Sequence, residues 1–179
     1  MPAVLFQVAS LAGCHSVAGR FRAHADNTPW QTIDTLVEQI PFTKTKVENV
    51  VMTQLNVKDT SQSPFPNTAF QFYMGGPIPL SNGMLISKVD LRIRHKPGHP
   101  GFLVLNLDVT CTELAEVRAH YSDLRVTDRP RGISLDEVTS YSTELQWGKL
   151  SFSFKERNPK CLSSVAFKPT LIETGSVGE

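Results

Sequence analysis

The feature that most constrains the fold is a pair of alternating stretches joined by a short turn. Leu85–Arg94 and Phe102–Val109 place apolar residues at every second position with few exceptions, and His95–Gly101 between them holds two prolines and two glycines. A period of two predicts strands with one face toward a core, and a Pro/Gly turn between them predicts an antiparallel β-hairpin. One face of the first strand is predicted to carry Leu85, Ser87, Val89, Leu91 and Ile93, and the other Lys88, Asp90, Arg92 and Arg94.

A helix is predicted over residues 29–40. Thr28 is a good N-cap, Pro29 suits the first helical position, and Gln31 stands where a capping box needs it. Pro41 should end the helix. The apolar stripe consists of Trp30, Ile33, Val37 and Ile40, and we expect it to face the core rather than a partner.

A second, narrower helix is predicted over residues 113–121. Thr110 and Glu113 have the spacing of a capping box, and apolar residues follow at helical intervals. The alternative is that the strand beginning at Phe102 continues through Cys111 and an irregular segment follows.

Further strands are predicted at 50–57, 68–74, 124–126, 140–146, 149–155 and 162–167. Short turns between them favour antiparallel pairing. The predicted fold class is therefore α+β, a single antiparallel β-sheet with two short helices packed on it. We expect one domain over residues 28–168 and a flexible tail over 169–179.

Composition limits the classes of function. The chain has 179 residues, of which 40% are hydrophobic and 20% charged, as in an ordinary globular domain. A formal net charge of +1 lacks the basic excess that displaces counterions from nucleic acids, so we expect no nucleic-acid partner. No apolar run has the length needed to span a bilayer.

The first residues have the pattern of an export signal. An apolar run over residues 4–12 is followed by small residues, as at the end of a secretory signal. Leu11-Ala12-Gly13-Cys14 resembles the bacterial lipobox, which implies a lipoprotein signal over 1–13, lipidation of Cys14 and a tether over 14–27. The alternatives are that residues 4–12 are a buried strand or helical turn of a cytosolic domain, and that the tether lies irregularly on its surface.

The chain has three cysteines. If Cys14 carries a lipid, Cys111 and Cys161 remain as a pair, and an oxidising periplasm would join them in a disulfide. The alternative is a pair of buried free thiols in a cytosolic protein.

One dense basic patch is visible, at the end of the first alternating strand and in the following turn. It is either an ordinary solvated face or a contact surface for an acidic or concave partner. We expect no metal site from His95 and His99, because the turn between them contains a proline and a glycine. We identify no catalytic set and expect no cofactor. The candidate partner-binding residues are Arg92, Arg94, His95, Lys96 and His99.

The stretch from Tyr141 to Leu162, YSTELQWGKLSFSFKERNPKCL, resembles small proteins of pseudomonads. Together with the lipobox, the chain is similar in plan to the lipoprotein immunity proteins encoded beside type VI secretion lipase effectors, including phospholipase D-type toxins. This resemblance implies a periplasmic protein, anchored to the membrane by a lipid, that occludes the active site of a cognate toxin. His15 after the lipidated cysteine implies the inner face of the outer membrane.

Two other hypotheses remain at this stage. One is a structural or assembly lipoprotein of the cell envelope that has no toxin partner. The other is a cytosolic α+β enzyme whose first residues belong to the core.

Overall fold

The computed structural model describes residues 28–61, 63, 64, 66–108 and 110–170. The predicted signal, Cys14, the tether and residues 171–179 lie outside them. The described helices are α1 (Pro29–Val37), α2 (Lys44–Val51) and α3 (Leu114–His120). The described strands are β1 (Asn56–Lys58), β2 (Phe70–Gly75), β3 (Ile78–Pro79), β4 (Leu85–Arg94), β5 (Phe102–Asp108), β6 (Arg125–Asp128), β7 (Val138–Leu145), β8 (Gly148–Lys155) and β9 (Leu162–Pro169).

These strands form one antiparallel sheet. Their order is β1-β2-β4-β5-β9-β8-β7-β6, and β3 pairs with β4 beside this path. The last strand in sequence, β9, lies in the middle of the sheet and joins the β4–β5 hairpin to the β7–β8 hairpin. The predicted fold class is confirmed, with three helices in the described residues rather than two.

Helix α1 begins as predicted. The Thr28 hydroxyl accepts a hydrogen bond from the Gln31 backbone N–H at 3.2 Å, and the Gln31 side chain accepts one from the Thr28 N–H at 2.9 Å. This capping box satisfies two N–H groups that a helix start leaves without partners. The helix ends at Val37, earlier than predicted, because residues 38–40 turn toward Pro41.

The strand predicted over residues 50–57 is wrong. Residues up to Val51 belong to α2, which Thr43 caps, and only Asn56–Lys58 is a strand. Val47 and Val51, four positions apart, are both buried, so their spacing follows a helix. β-Branched residues favour strands only weakly, and here burial of this pair outweighs that preference.

Helix α3 occupies the predicted place but is capped differently. Its N-cap is Glu113, which forms a capping box with Glu116, and the predicted box from Thr110 to Glu113 is wrong. The alternative to this helix, a β5 that continues through Cys111, does not occur, since β5 ends at Asp108.

The β4–β5 hairpin matches the predicted strands. Its alternation is interrupted by a bulge between Ile86 and Lys88, which turns Ile86 rather than Ser87 into the core. Beyond the bulge, Val89 and Leu91 face the core as predicted. A bulge adds one residue to a strand, so the side chains before the bulge point to the face opposite to the one that strict alternation predicts.

All three helices contribute to one hydrophobic core on one face of the sheet. Buried residues of the helices, such as Leu36, Val47 and Val117, share a cluster with Leu103 and Phe152 of the strands. No helix of the described residues is long and apolar enough to cross a membrane. The opposite face of the sheet, which we call the outer face, carries the candidate site.

Candidate functional site

Strand register brings aromatic and cationic residues together on the outer face. Phe72 of β2 lies opposite Arg92 of β4, and Arg92 lies opposite Phe102 of β5. Phe70 likewise lies opposite Arg94. All of these side chains except that of Arg94 border a cavity of about 270 Å³, which we call the cation–aromatic cleft. Its lining consists of Asn67, Phe70, Phe72, Arg92, His99, Gly101, Phe102, Lys168 and Pro169.

Arg92 is fixed from three sides. Its Nε and Nη2 donate hydrogen bonds to the two carboxylate oxygens of Asp90, at 3.1 and 2.8 Å. Its guanidinium carbon lies 5.4 Å from the ring centre of Phe72 and 5.3 Å from that of Phe102. Hydrogen bonding to Asp90 raises the pKa of Arg92, so the group is a permanent cation. Asp90 itself is buried, so its carboxylate interacts with Arg92 rather than with solvent.

Arg94 and His99 meet at Phe70. The guanidinium carbon of Arg94 lies 6.0 Å from the ring centre of Phe70, and the His99 ring meets it edge-on at 5.7 Å. Nδ1 of His99 accepts a hydrogen bond from the Gly101 N–H at 3.0 Å. Burial, and then the charge of Arg94, lower the pKa of His99, so it is neutral at pH 7 and carries its proton on Nε2. His99 thus offers the cleft a hydrogen-bond donor.

The remaining predicted residues lie nearby but outside the cleft. His95 and Lys96 are exposed in the turn at the tip of the hairpin. The structure adds Lys168 from β9, whose side chain forms no ion pair with the described residues. Sequence reasoning missed Lys168, Phe70 and Phe72 because β2 and β9 become neighbours of the hairpin only through pairing; it placed Phe102 in the hairpin without assigning it to the site. The alternation of Phe70 and Phe72 was visible in the sequence, but their facing was not.

The predicted disulfide is present. Cys111 and Cys161 are bonded, and their Cα atoms lie 4.7 Å apart. The backbone N–H of Leu162 also donates to the carbonyl of Thr112 at 2.9 Å. The bridge therefore fastens the start of the central strand β9 to the segment that leads into α3.

The cleft is suited to binding an anionic group. Arg92 and Lys168 supply positive charge, His99 supplies a donor, and three phenylalanine rings form the apolar part of the lining. Within the described ranges, no three His, Cys, Asp or Glu residues are placed to hold a metal ion. Comparison with protein-family models, with curated protein sequences and with solved structures gives no match to this chain. The cleft and the disulfide are therefore the features of the molecule that bear on its function.

Proposed function

We propose that this protein is a non-catalytic inhibitor of a secreted antibacterial toxin and acts outside the cytoplasm. The cation–aromatic cleft and the hairpin tip beside it dock onto an acidic surface at the entrance of the toxin's active site. The toxin is of the phospholipase class, delivered by type VI secretion, as the resemblance implies. Lipidation of Cys14 holds the inhibitor at the inner face of the outer membrane.

The observation that carries the proposal is the fixed orientation of Arg92. Its hydrogen bonds to Asp90 and its place between two rings hold the side chain in one position. Ordering a free arginine on binding costs side-chain entropy, and a guanidinium that is already ordered avoids that cost. Arginine is also one of the residue types enriched at energetic hot spots of protein interfaces.

Charge supports an acidic partner. Arg92, Arg94, Lys96 and Lys168 lie in or beside the cleft, and the Asp90 carboxylate that pairs with Arg92 is buried. Complementary charge accelerates encounter between proteins and excludes partners of the same sign.

The disulfide supports a location outside the cytoplasm. Disulfides persist in oxidising compartments such as the periplasm and are rare in cytosolic proteins. A periplasmic location is where an inhibitor of a membrane-attacking toxin would meet its target, so the two parts of the proposal agree.

The test is calorimetric titration of the purified protein against the toxin encoded by the adjacent gene. We expect one-to-one binding whose affinity falls as salt is added. Binding should also abolish the lipase activity of the toxin. Arg94→Ala should weaken binding about tenfold or more without disturbing the Asp90 pair. Arg125→Ala is the matched control, because it removes an exposed cation at the opposite edge of the sheet.

Two outcomes separate the parts of the proposal. Failure to bind any toxin of the neighbourhood, with no protection of exposed cells, would refute the inhibitor and favour an envelope lipoprotein. Tight binding that Arg94→Ala and Phe72→Ala leave unchanged would keep the inhibitor but refute the cleft as its contact surface. Palmitate labelling of wild type and Cys14→Ser tests the anchor independently.

A further inference from the structure

The lining of the cation–aromatic cleft contains two cations and no carboxylate. Arg92 and Lys168 carry positive charge, and none of the lining residues is an aspartate or a glutamate. The Asp90 carboxylate pairs with Arg92 but does not border the cavity. Two cations less this one carboxylate leave a net charge of +1 at the site, which a single monovalent anion would balance.

Arg92 has donors that Asp90 does not use. A guanidinium carries its N–H groups in a fixed planar fork, with a single one on Nε and a pair on each Nη. Asp90 accepts from Nε and from Nη2, at 3.1 and 2.8 Å. The remaining N–H groups, on Nη1 and Nη2, have no hydrogen-bond partner among the described residues. One on each nitrogen points in parallel with the other, which is the geometry that binds both oxygens of a carboxylate or a phosphate.

Asp90 orients these free donors. It is 6% exposed, whereas the side chain of Arg92 is 39% exposed, so the guanidinium is held from the protein side and remains accessible to a ligand. Phe72 and Phe102 flank it from the neighbouring strands. A donor pair that is ordered before binding loses little conformational entropy when the ligand arrives. Asp90 is therefore a positioning residue that acts through Arg92.

Lys168 supplies the second positive charge. Its ammonium is a compact charge without a planar fork, so it adds attraction for an anion but not the two-point contact that Arg92 can make. Arg94 lies against Phe70 outside the lining and adds positive charge beside the cavity. An anion in the cleft would therefore be oriented by Arg92 and attracted by all three cations.

The size and the apolar lining of the cavity restrict the anion. Its volume of about 270 Å³ lies just below the roughly 300–1,000 Å³ of most small-molecule sites, so it suits a single side chain or a ligand of similar size. Three phenylalanine rings and Pro169 line it, which favours an anionic group on an apolar stem over a free ion that is hydrated on all sides. A phosphate monoester carries about −1.5 to −2 charges at neutral pH. A carboxylate carries one and so matches the net charge of the site.

We propose that the cation–aromatic cleft is a carboxylate-binding site that receives one aspartate or glutamate side chain of the partner protein. The carboxylate binds end-on to Nη1 and Nη2 of Arg92, Lys168 lies beside it, and the apolar stem contacts the phenylalanine rings. This inference rests on the proposed function for the partner that brings the side chain, whereas the carboxylate chemistry of the cleft can be tested without the toxin.

The first experiment is an NMR titration of the isotope-labelled full chain with phenylpropionate, a carboxylate on an apolar stem. The backbone N–H signals of Phe72 and Phe102 should shift to a plateau that defines a Kd. Phenylpropanol has the same stem without the charge, and inorganic phosphate has charge without the stem. Each of these two control probes should bind about tenfold more weakly or not at all, since each lacks one half of the contacts.

Variants separate the geometry of binding from simple charge. Arg92→Lys keeps the positive charge but loses the parallel donors, and should raise the Kd of phenylpropionate about tenfold. Arg125→Lys is its matched control, because it makes the same change at an exposed arginine of the opposite sheet edge, and should leave the Kd unchanged. Asp90→Asn removes a negative charge, yet it should raise the Kd severalfold because Arg92 is held less firmly. An effect of charge alone would lower the Kd.

Thermal unfolding of each variant shows whether its fold is intact. If Asp90→Asn is destabilised, Arg92→Lys and the three probes still decide whether the cleft binds carboxylates.

The second experiment tests the source of the carboxylate. Calorimetric titration against the toxin is repeated with phenylpropionate at a concentration that saturates the cleft, and the Kd of the toxin should rise about tenfold or more. An unchanged Kd would overturn the partner side chain as the occupant. If the toxin does not bind at all, the proposed function fails, whereas the NMR titration still decides whether the cleft is a carboxylate site.

Three further results would overturn the inference. One is the absence of shifts at Phe72 and Phe102 with phenylpropionate. Another is preferential binding of inorganic phosphate, or of phosphatidylglycerol vesicles in a manner that Arg92→Lys abolishes, which would assign the cleft to a phosphate group. The third is a lower Kd in Asp90→Asn, which would refute the positioning role of Asp90.

Discussion

Replacing both bridging cysteines, Cys111→Ser and Cys161→Ser together, should lower the free energy of unfolding by about 4 kcal/mol. The bridge closes a loop with a sequence separation of 50 residues. For a loop of that length the chain-entropy relation gives roughly 14 cal/mol/K, or about 4 kcal/mol near room temperature. Cys111 is exposed and Cys161 is half-buried, so serine adds little burial penalty of its own. The predicted loss therefore comes from the greater freedom of the unfolded chain.

The assay is urea denaturation followed by circular dichroism, with the free energy extrapolated to water. Wild type with reductant is the control, because it lacks the crosslink but keeps both sulfur atoms. The double variant and the reduced wild type should unfold at the same urea concentration, well below that of the oxidised protein. Both should also show a larger m value, since an uncrosslinked chain exposes more surface on unfolding.

A loss below about 1 kcal/mol would refute this reasoning, because the entropic restriction would then be absent from the unfolded state. A second result would also contradict it. If alkylation and mass spectrometry of the protein isolated from its native host find both thiols free, the bridge does not form where the protein works.

Three further predictions concern single residues. Gly148 has φ +138, and a Cβ there would lie 2.5 Å from the Lys168 carbonyl oxygen, so Gly148→Ala should lower the free energy of unfolding in urea by about 1–3 kcal/mol. The control Gly98→Ala, with φ +82 and open space around it, should lose about 1 kcal/mol, and equal losses would contradict the steric argument. Burial raises the pKa of Tyr121, so the contribution of this neutral phenol to stability is present below about pH 10 and is lost as the pH rises further. Ultraviolet absorbance during an alkaline titration should show one of the three tyrosines ionising only when the protein unfolds. Ionisation of all three tyrosines in the folded protein would contradict this. The pKa of Glu137 is lowered, so the hydrogen bonds that its carboxylate accepts from the backbone N–H groups of residues 131–133 are present above the ordinary carboxyl pKa and are lost as the pH falls through the lowered value. Protection of these amides from hydrogen exchange should then fall, and protection that stays unchanged until the whole protein unfolds in acid would contradict the role of the carboxylate.

Local sequence rules worked where neighbours along the chain decide the structure. The Thr28 capping box was predictable because both partners lie within one helical turn. The β4–β5 hairpin was predictable because its alternation and its turn are contiguous. Strand prediction failed at Val50 and Val51, because two adjacent β-branched residues do not reveal whether Val51 packs with Val47 across a helical turn.

The candidate site was predictable only in part. Arg92 and Arg94 stood out as basic residues on the polar side of a strand, and they do lie in or beside the cleft. Asp90, His99 and Phe102 come from the hairpin itself, whereas Phe70, Phe72 and Lys168 come from β2 and β9. Their presence at the cleft depends on the order of the strands in the sheet. The alternation within a strand does not indicate which other strands will become its neighbours.

The sequence by itself determined a two-layer α+β protein, its central hairpin and the cysteines available for a bridge, because hydrophobic period, turn residues and capping side chains act over a few positions. Tertiary structure decided which strands became neighbours, which face carried the cleft, and that Ile133 and Leu135 are exposed to solvent. Those outcomes follow from burying one face of the whole sheet at once, in which every strand's place depends on all the others.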